Sequence, residues 1–106
     1  MTAVDLASAL ARARALLGEC SALKLQVLCE VAASGAHGVD QRALTALGAW
    51  PSTVSAALRD LSAVDHQGRP GPAYVSIESS PQDRRRHIVR LTDAGKVLAG
   101  ELFRAG

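Results

Sequence analysis

The stretch DRRRHIVRLT, residues 83–92, places three consecutive arginines just before a run of alternating character. The alternation predicts a half-buried β-strand over 87–91, and Thr92 is a suitable N-cap for a helix that follows it. A second alternating run over 74–78 predicts the partner strand. The eight residues between the two runs form the connecting turn, so the sequence predicts a β-hairpin with residues 84–86 at its tip.

Three guanidinium groups at a hairpin tip repel one another unless an anion is close. Arginine binds phosphate in bidentate fashion, and binding to DNA releases condensed counterions. Residues 79–96 carry five basic and two acidic side chains, a local charge of +3, whereas the whole chain has a formal charge of +2. One face is therefore basic, which is typical of a nucleic-acid-binding protein. A solvated basic turn is the alternative interpretation.

Apolar spacing predicts helices on both sides of the hairpin. Residues 65–73, which hold two glycines and two prolines, are predicted to be loop. We therefore expect a single domain over 1–106, mainly α with a small β-hairpin (α+β). The predicted helices are 2–17 ended by Gly18, 22–34 capped by Ser21, 41–47 capped by Asp40 and ended by Gly48, 51–62, and 92–104 capped by Thr92.

The third and fourth predicted helices have the spacing of a helix–turn–helix. Val54, Leu58 and Leu61 share one face of the later helix and are expected to pack inward. We expect helix 51–62 to enter the major groove of DNA, and the arginine hairpin over 79–87 to contact the minor groove and phosphates. The outward residues of the helix that we expect to bind DNA are Ser52, Thr53, Ser55, Ala56 and Arg59.

Two motifs together resemble the MarR family of winged helix–turn–helix transcriptional regulators. LGAWPSTVSAALRDL, residues 47–61, is similar to the recognition-helix region of that family, and PQDRRRHIVRLTDAG, residues 81–95, is similar to its wing and following helix. At position 56 this chain has Ala where the family often has Arg, so fewer contacts with base edges are expected there. The positions that match the wing pattern are Asp83, Arg85, Val89, Leu91, Thr92 and Gly95.

The resemblance implies a homodimer bound to a pseudo-palindromic operator, with Arg85 at the wing tip and Asp83 orienting it. An acceptor beside three cations would also fix a guanidinium in place before DNA arrives. We therefore expect a bacterial, cytoplasmic, sequence-specific regulator of transcription that binds double-stranded DNA and acts as a repressor. The wing residues that we expect to bind DNA are Arg84, Arg85, Arg86 and His87.

Dimerisation is expected to use the terminal helices, 2–17 and 92–104. Leu6, Leu10, Ala13 and Leu17 form one apolar stripe along the first helix, and the small Ala side chain would let two helices approach closely. The alternative is that this stripe packs into the core of its own domain. The large side chain of Trp50, just before the recognition helix, is expected to be a packing residue.

Other classes of protein are disfavoured. Neither catalytic nor metal-binding residues are predicted, because His37, His66 and His87 are not at metal-ligand spacing from Cys or acidic residues and no phosphate-binding loop is present. We expect neither an enzyme nor a cofactor, and no apolar run long enough to span a membrane occurs. Cys20 and Cys29 are expected to be reduced, buried thiols, with a redox switch at Cys20 as the alternative. The alternative function is a winged-helix protein–protein adaptor or anti-repressor, and the sequence leaves a small-molecule effector open.

Overall fold

The computed structural model describes residues 2–46, 50–65 and 67–103. The three strands of the described residues form one antiparallel sheet, in which His87–Leu91 lies between Val39–Asp40 and Val75–Ser79. A mainly α fold with a small sheet and a helix–turn–helix is thereby confirmed. The elements are α1 (Ala3–Leu17), α2 (Ala22–Ala33), a 3-10 turn (Gly35–His37), β1 (Val39–Asp40), α3 (Gln41–Thr45), α4 (Pro51–Leu61), β2 (Val75–Ser79), β3 (His87–Leu91) and α5 (Asp93–Leu102).

Polar side chains start most of the helices, as the sequence predicts. Ser21, Asp40 and Thr92 each accept a hydrogen bond from a backbone N–H in the first turn of α2, α3 and α5, and Thr2 does the same for α1. Such a cap stabilises a helix by about 1 kcal/mol. Helix α4 differs, because its N-cap is Trp50, whose side chain makes no capping bond.

Several boundaries differ from the predicted ones, and two short elements were not predicted. Strand β2 begins one residue later than predicted, at Val75, and α5 ends at Leu102. The predicted ends of α3 and of the last helix, together with the turn at Gly48, lie outside the described residues. Strand β1 and the 3-10 turn are the unpredicted elements, because two or three residues are too few to show a periodic pattern.

The core lies between the helices and one face of the sheet. Val54, Leu58 and Leu61 are buried as predicted. In α2, Val27, Leu28 and Val31 are buried, whereas Leu25 and Ala32 are half-buried. Helix α2 is apolar around most of its circumference, so spacing alone does not select the buried face.

Helix α1 divides its apolar stripe between two environments. Ala13 is only 2% exposed and belongs to the core cluster, and Leu17 packs against that cluster. Leu6 and Leu10 are 48% and 43% exposed. The expectation of one continuous dimer seam is therefore corrected, because the C-terminal half of the stripe already contacts its own domain.

Two glycines of α5 provide a matched test of this packing. A Cβ atom at Gly95 would overlap the carbonyl oxygen of Tyr74. One at Gly100 would meet no heavy atom within 4 Å among the described residues outside its own helix backbone and chain neighbours. We expect Gly95→Ala to lower the free energy of unfolding by about 1–3 kcal/mol through overpacking. Gly100→Ala should raise it by about 0.5–1 kcal/mol through helix propensity. Urea denaturation measures both, and equal effects of the two substitutions would contradict the close packing of α5 on Tyr74.

Candidate nucleic-acid interface

Helix α4 turns a polar face away from the core. Ser52, Thr53 and Arg59 are exposed, and Ser55 and Ala56 are half-buried. This orientation follows from the strong separation of apolar and polar residues along the helix, since the side chains at 54, 57, 58 and 61 are buried. All the α4 residues that were predicted to face outward therefore lie away from the buried side.

A cleft of about 250 Å³ separates α4 from the sheet. Three of the predicted site residues, Ser55, Arg59 and His87, line it together with Gln41 and Ile77. A hydroxyl, an amide, an imidazole and a guanidinium can each donate a hydrogen bond to an anionic oxygen. The fold therefore brings the outer face of α4 and the turn-proximal half of the hairpin to one polar cleft.

The turn between β2 and β3 is held by its own backbone and by Asp83. The Ser80 N–H donates to the Arg86 carbonyl at 2.8 Å, and the Arg86 N–H donates to the Asp83 carbonyl at 3.0 Å. The Asp83 side chain accepts from the Arg85 N–H at 3.0 Å. Asp83 thus orders the backbone beneath Arg85, whereas the sequence predicted that it holds a guanidinium.

Arg86 is bound within the protein. Its Nε donates to Oδ2 of Asp40 at 2.7 Å, and the other Asp40 oxygen accepts from the Arg42 N–H at 2.9 Å. These two interactions, the backbone bond first, hold the pKa of Asp40 below its ordinary value. That Arg86 contacts DNA stays a prediction, and within the protein its guanidinium joins the hairpin to the start of α3.

Arg84 and Arg85 differ from Arg86. Both side chains are exposed, and within the described ranges neither guanidinium has an ion pair or a hydrogen bond. Arg90 lies on β3. Its Nε donates to the Ala36 carbonyl oxygen at 3.2 Å, and its Nη1 lies 3.7 Å from Oε2 of Glu78. The cations that the wing tip offers to an outside anion are therefore Arg84 and Arg85.

Two further kinds of side chain differ from their predicted environments. Trp50 is 80% exposed, so the expectation that it packs is wrong. Cys20 and Cys29 are free thiols and are half-buried rather than buried. Partial burial, followed by the nearby Glu30 charge, raises the pKa of the Cys29 thiol and so disfavours its thiolate.

Metal-binding and membrane-spanning features are not found in the described part of the chain. Over residues 2–46, 50–65 and 67–103, no group of three His, Cys, Asp or Glu side chains could hold a metal ion. Within the same ranges, no helix has the length and apolar character needed to cross a bilayer.

Solved structures with the same fold include two bacterial proteins. A MepR mutant from S. aureus, bound to an oligodeoxyribonucleotide, aligns with 92% of this chain at 22% identity and a TM-score of 0.70. The PcaV transcriptional regulator from Streptomyces coelicolor, in complex with its natural ligand, aligns with 92% of this chain at 28% identity and a TM-score of 0.57. Both are MarR-family regulators, and the fold of this chain is accordingly a MarR-like winged helix.

The shares of these two proteins that are covered differ slightly. The alignments span 64% of the MepR chain, a little under two thirds, and 67% of the PcaV chain. No model of a known protein family matches the sequence, and no curated protein sequence matches it either.

Proposed function

We propose that this protein is a transcriptional regulator that binds double-stranded DNA in a sequence-specific manner. The observation that carries the proposal is that the polar face of α4 and the turn-proximal half of the arginine hairpin line one cleft. A helix in the major groove and a wing in the adjacent minor groove straddle one sugar–phosphate strand. The polar cleft lies where that strand would pass.

In this arrangement the wing contributes positive charge that binds phosphates, and the helix contributes the contacts that distinguish one base sequence from another. Arg84 and Arg85 are exposed cations without partners inside the described part of the chain, so they are free to bind phosphates. Ser52 and Thr53 lie in the first turn of α4, the part of a recognition helix that meets base edges. The similarity to MepR, whose structure contains an oligodeoxyribonucleotide, supports the same mode.

We also propose a homodimer that acts as a repressor in the bacterial cytoplasm. Pairing two half-sites would double the contacts that one helix and one wing make with a two-fold operator. Several exposed apolar side chains on the first and last helices, and just after the last helix, could be buried in an interface between two copies of the chain. They are Val4, Leu6 and Leu10 on α1, Val97 on α5, and Phe103.

Salt dependence tests the proposed function directly. Phosphate contacts release counterions, so the logarithm of the affinity should fall linearly with the logarithm of the salt concentration, with a slope of about −4 or steeper for a dimer. Gel shifts with DNA that flanks the protein's own gene would measure this slope. A flat salt dependence would reject the DNA-binding function and favour a protein–protein adaptor.

Three arginine variants sharpen this experiment. Arg84→Ala and Arg85→Ala should each make the slope shallower by about 0.9 for every phosphate that the arginine neutralises in the wild-type complex. Arg86→Ala should leave the slope nearly unchanged, because Asp40 already neutralises that guanidinium. A slope that changes equally in all three variants would contradict the different surroundings of Arg86.

Substitution of Arg59 distinguishes a contact with a base from a contact with a phosphate. If it makes a bidentate contact to a base, Arg59→Ala should cost about 1–3 kcal/mol of binding free energy and relax the preference at one base position. Competition binding against duplexes with single base-pair changes measures both effects. Arg14→Ala removes the same charge from the outside of α1 and serves as the matched control. Equal weakening on every duplex would show that Arg59 contacts only phosphate.

Leu10→Glu tests the dimer. Because Leu10 is exposed, its replacement should leave the fold intact while placing a charge in the interface, which should yield a folded monomer that binds DNA weakly. Sedimentation velocity and circular dichroism measure these properties, and Ala11→Glu, at an exposed neighbouring position, is the control. A wild-type protein that is monomeric at micromolar concentration, or a variant that unfolds, would contradict the proposed interface.

A further inference from the structure

Trp50 does nothing evident for the stability of its own domain. It is the only tryptophan of the chain, and it is 80% exposed. It also occupies the N-cap position of α4 without making a capping bond, whereas α1, α2, α3 and α5 each have a polar N-cap side chain that does. Within the described part of the chain, the indole ring therefore contributes no capping bond and little packing.

The position of Trp50 places it beside the proposed DNA-binding surface. Its carbonyl accepts from the Thr53 N–H at 2.9 Å, which fixes the Trp50 backbone to the first turn of α4. Pro51, Ser52 and Thr53 follow it and are all exposed. In a helix–turn–helix, the N-terminal residues of the recognition helix are the ones that reach the bases.

We propose that Trp50 is a DNA-contacting residue, whose ring lies against the wall of the major groove at the start of the recognition helix. This inference rests on the proposed function. The ring faces supply apolar area for a deoxyribose or a thymine methyl group, and the indole N–H is a donor for a phosphate oxygen. Duplex DNA is the ligand that suits this position, because Trp50 directly precedes the exposed polar residues Ser52 and Thr53 on the proposed DNA-binding surface. The exposed apolar residues that would suit a second copy of the chain lie instead on α1 and α5.

The single tryptophan makes the contact directly measurable. Acrylamide, a neutral quencher, should reach the indole freely in the protein alone. With a saturating amount of a duplex from the flanking DNA of its own gene, the quenching constant should fall about threefold or more, because the groove wall would cover the ring faces. An unchanged quenching constant in the saturated complex would overturn the proposal. So would a fall that depends on protein concentration without DNA, since the ring would then be covered by a second copy.

Trp50→Ser gives an independent test in which stability and binding move in opposite directions. Serine is a favourable N-cap, so the variant should have a melting temperature equal to or above that of the wild type. Its affinity for the same duplex should be about tenfold weaker, as expected when one good groove contact is removed. Val64→Ser, an exposed apolar residue beyond the other end of α4, is the matched control and should leave the affinity unchanged.

The outcomes separate this inference from the function on which it rests. A wild-type protein that fails to bind DNA would remove the proposed function itself. A wild-type protein that binds with the expected salt dependence, while Trp50→Ser binds equally well, would overturn only the role of Trp50. A Trp50→Ser variant that is less stable would also overturn it, because the indole would then support the fold.

Discussion

Strand β3 determines where the wing lies, because it is paired along both of its edges. Val89, at its centre, is fully buried and lies opposite Val39 on β1 and opposite Ile77 on β2. An isolated two-stranded hairpin is marginally stable in water, whereas a third strand and a packed face make it stable. The third strand comes from the segment just before α3. The wing and the helix–turn–helix are therefore parts of one sheet-anchored body, and the cleft between α4 and the sheet has a defined shape.

One glycine permits this close approach. Gly38 has φ +74°, and a side chain there would meet the Val89 carbonyl oxygen at 2.8 Å. Only glycine adopts this backbone conformation without strain and leaves space for β3. The next residues form β1 and then the N-cap of α3, so this single turn brings the helix–turn–helix to the edge of the hairpin.

The three arginines of the wing are chemically alike but have different surroundings. The ion pair of Arg86 with Asp40 neutralises one of the three charges and so relieves the repulsion expected of the cluster. Asp83 meanwhile orders the backbone that carries Arg85. An ion pair at the surface adds little to global stability. Its consequence here is positional, since it joins the hairpin to α3, while the guanidinium groups of Arg84 and Arg85 have no partner among the described residues.

The sequence alone determined the features that depend on residues close together in the chain. The caps at Ser21, Asp40 and Thr92, the buried face of α4 and the hairpin around the three arginines all follow from such local patterns. The candidate site was accordingly predicted as a helix face and a wing.

The tertiary structure alone decided which of those residues are available for binding. Asp40 and Arg86 are 46 positions apart, and no local pattern links them. The pairing of β1 with β3, the burial of Ala13 and the exposure of Trp50 likewise depend on which distant segments pack together. Periodicity specifies which face of an element is apolar, but the partner that covers that face is chosen by contacts between segments far apart in the chain.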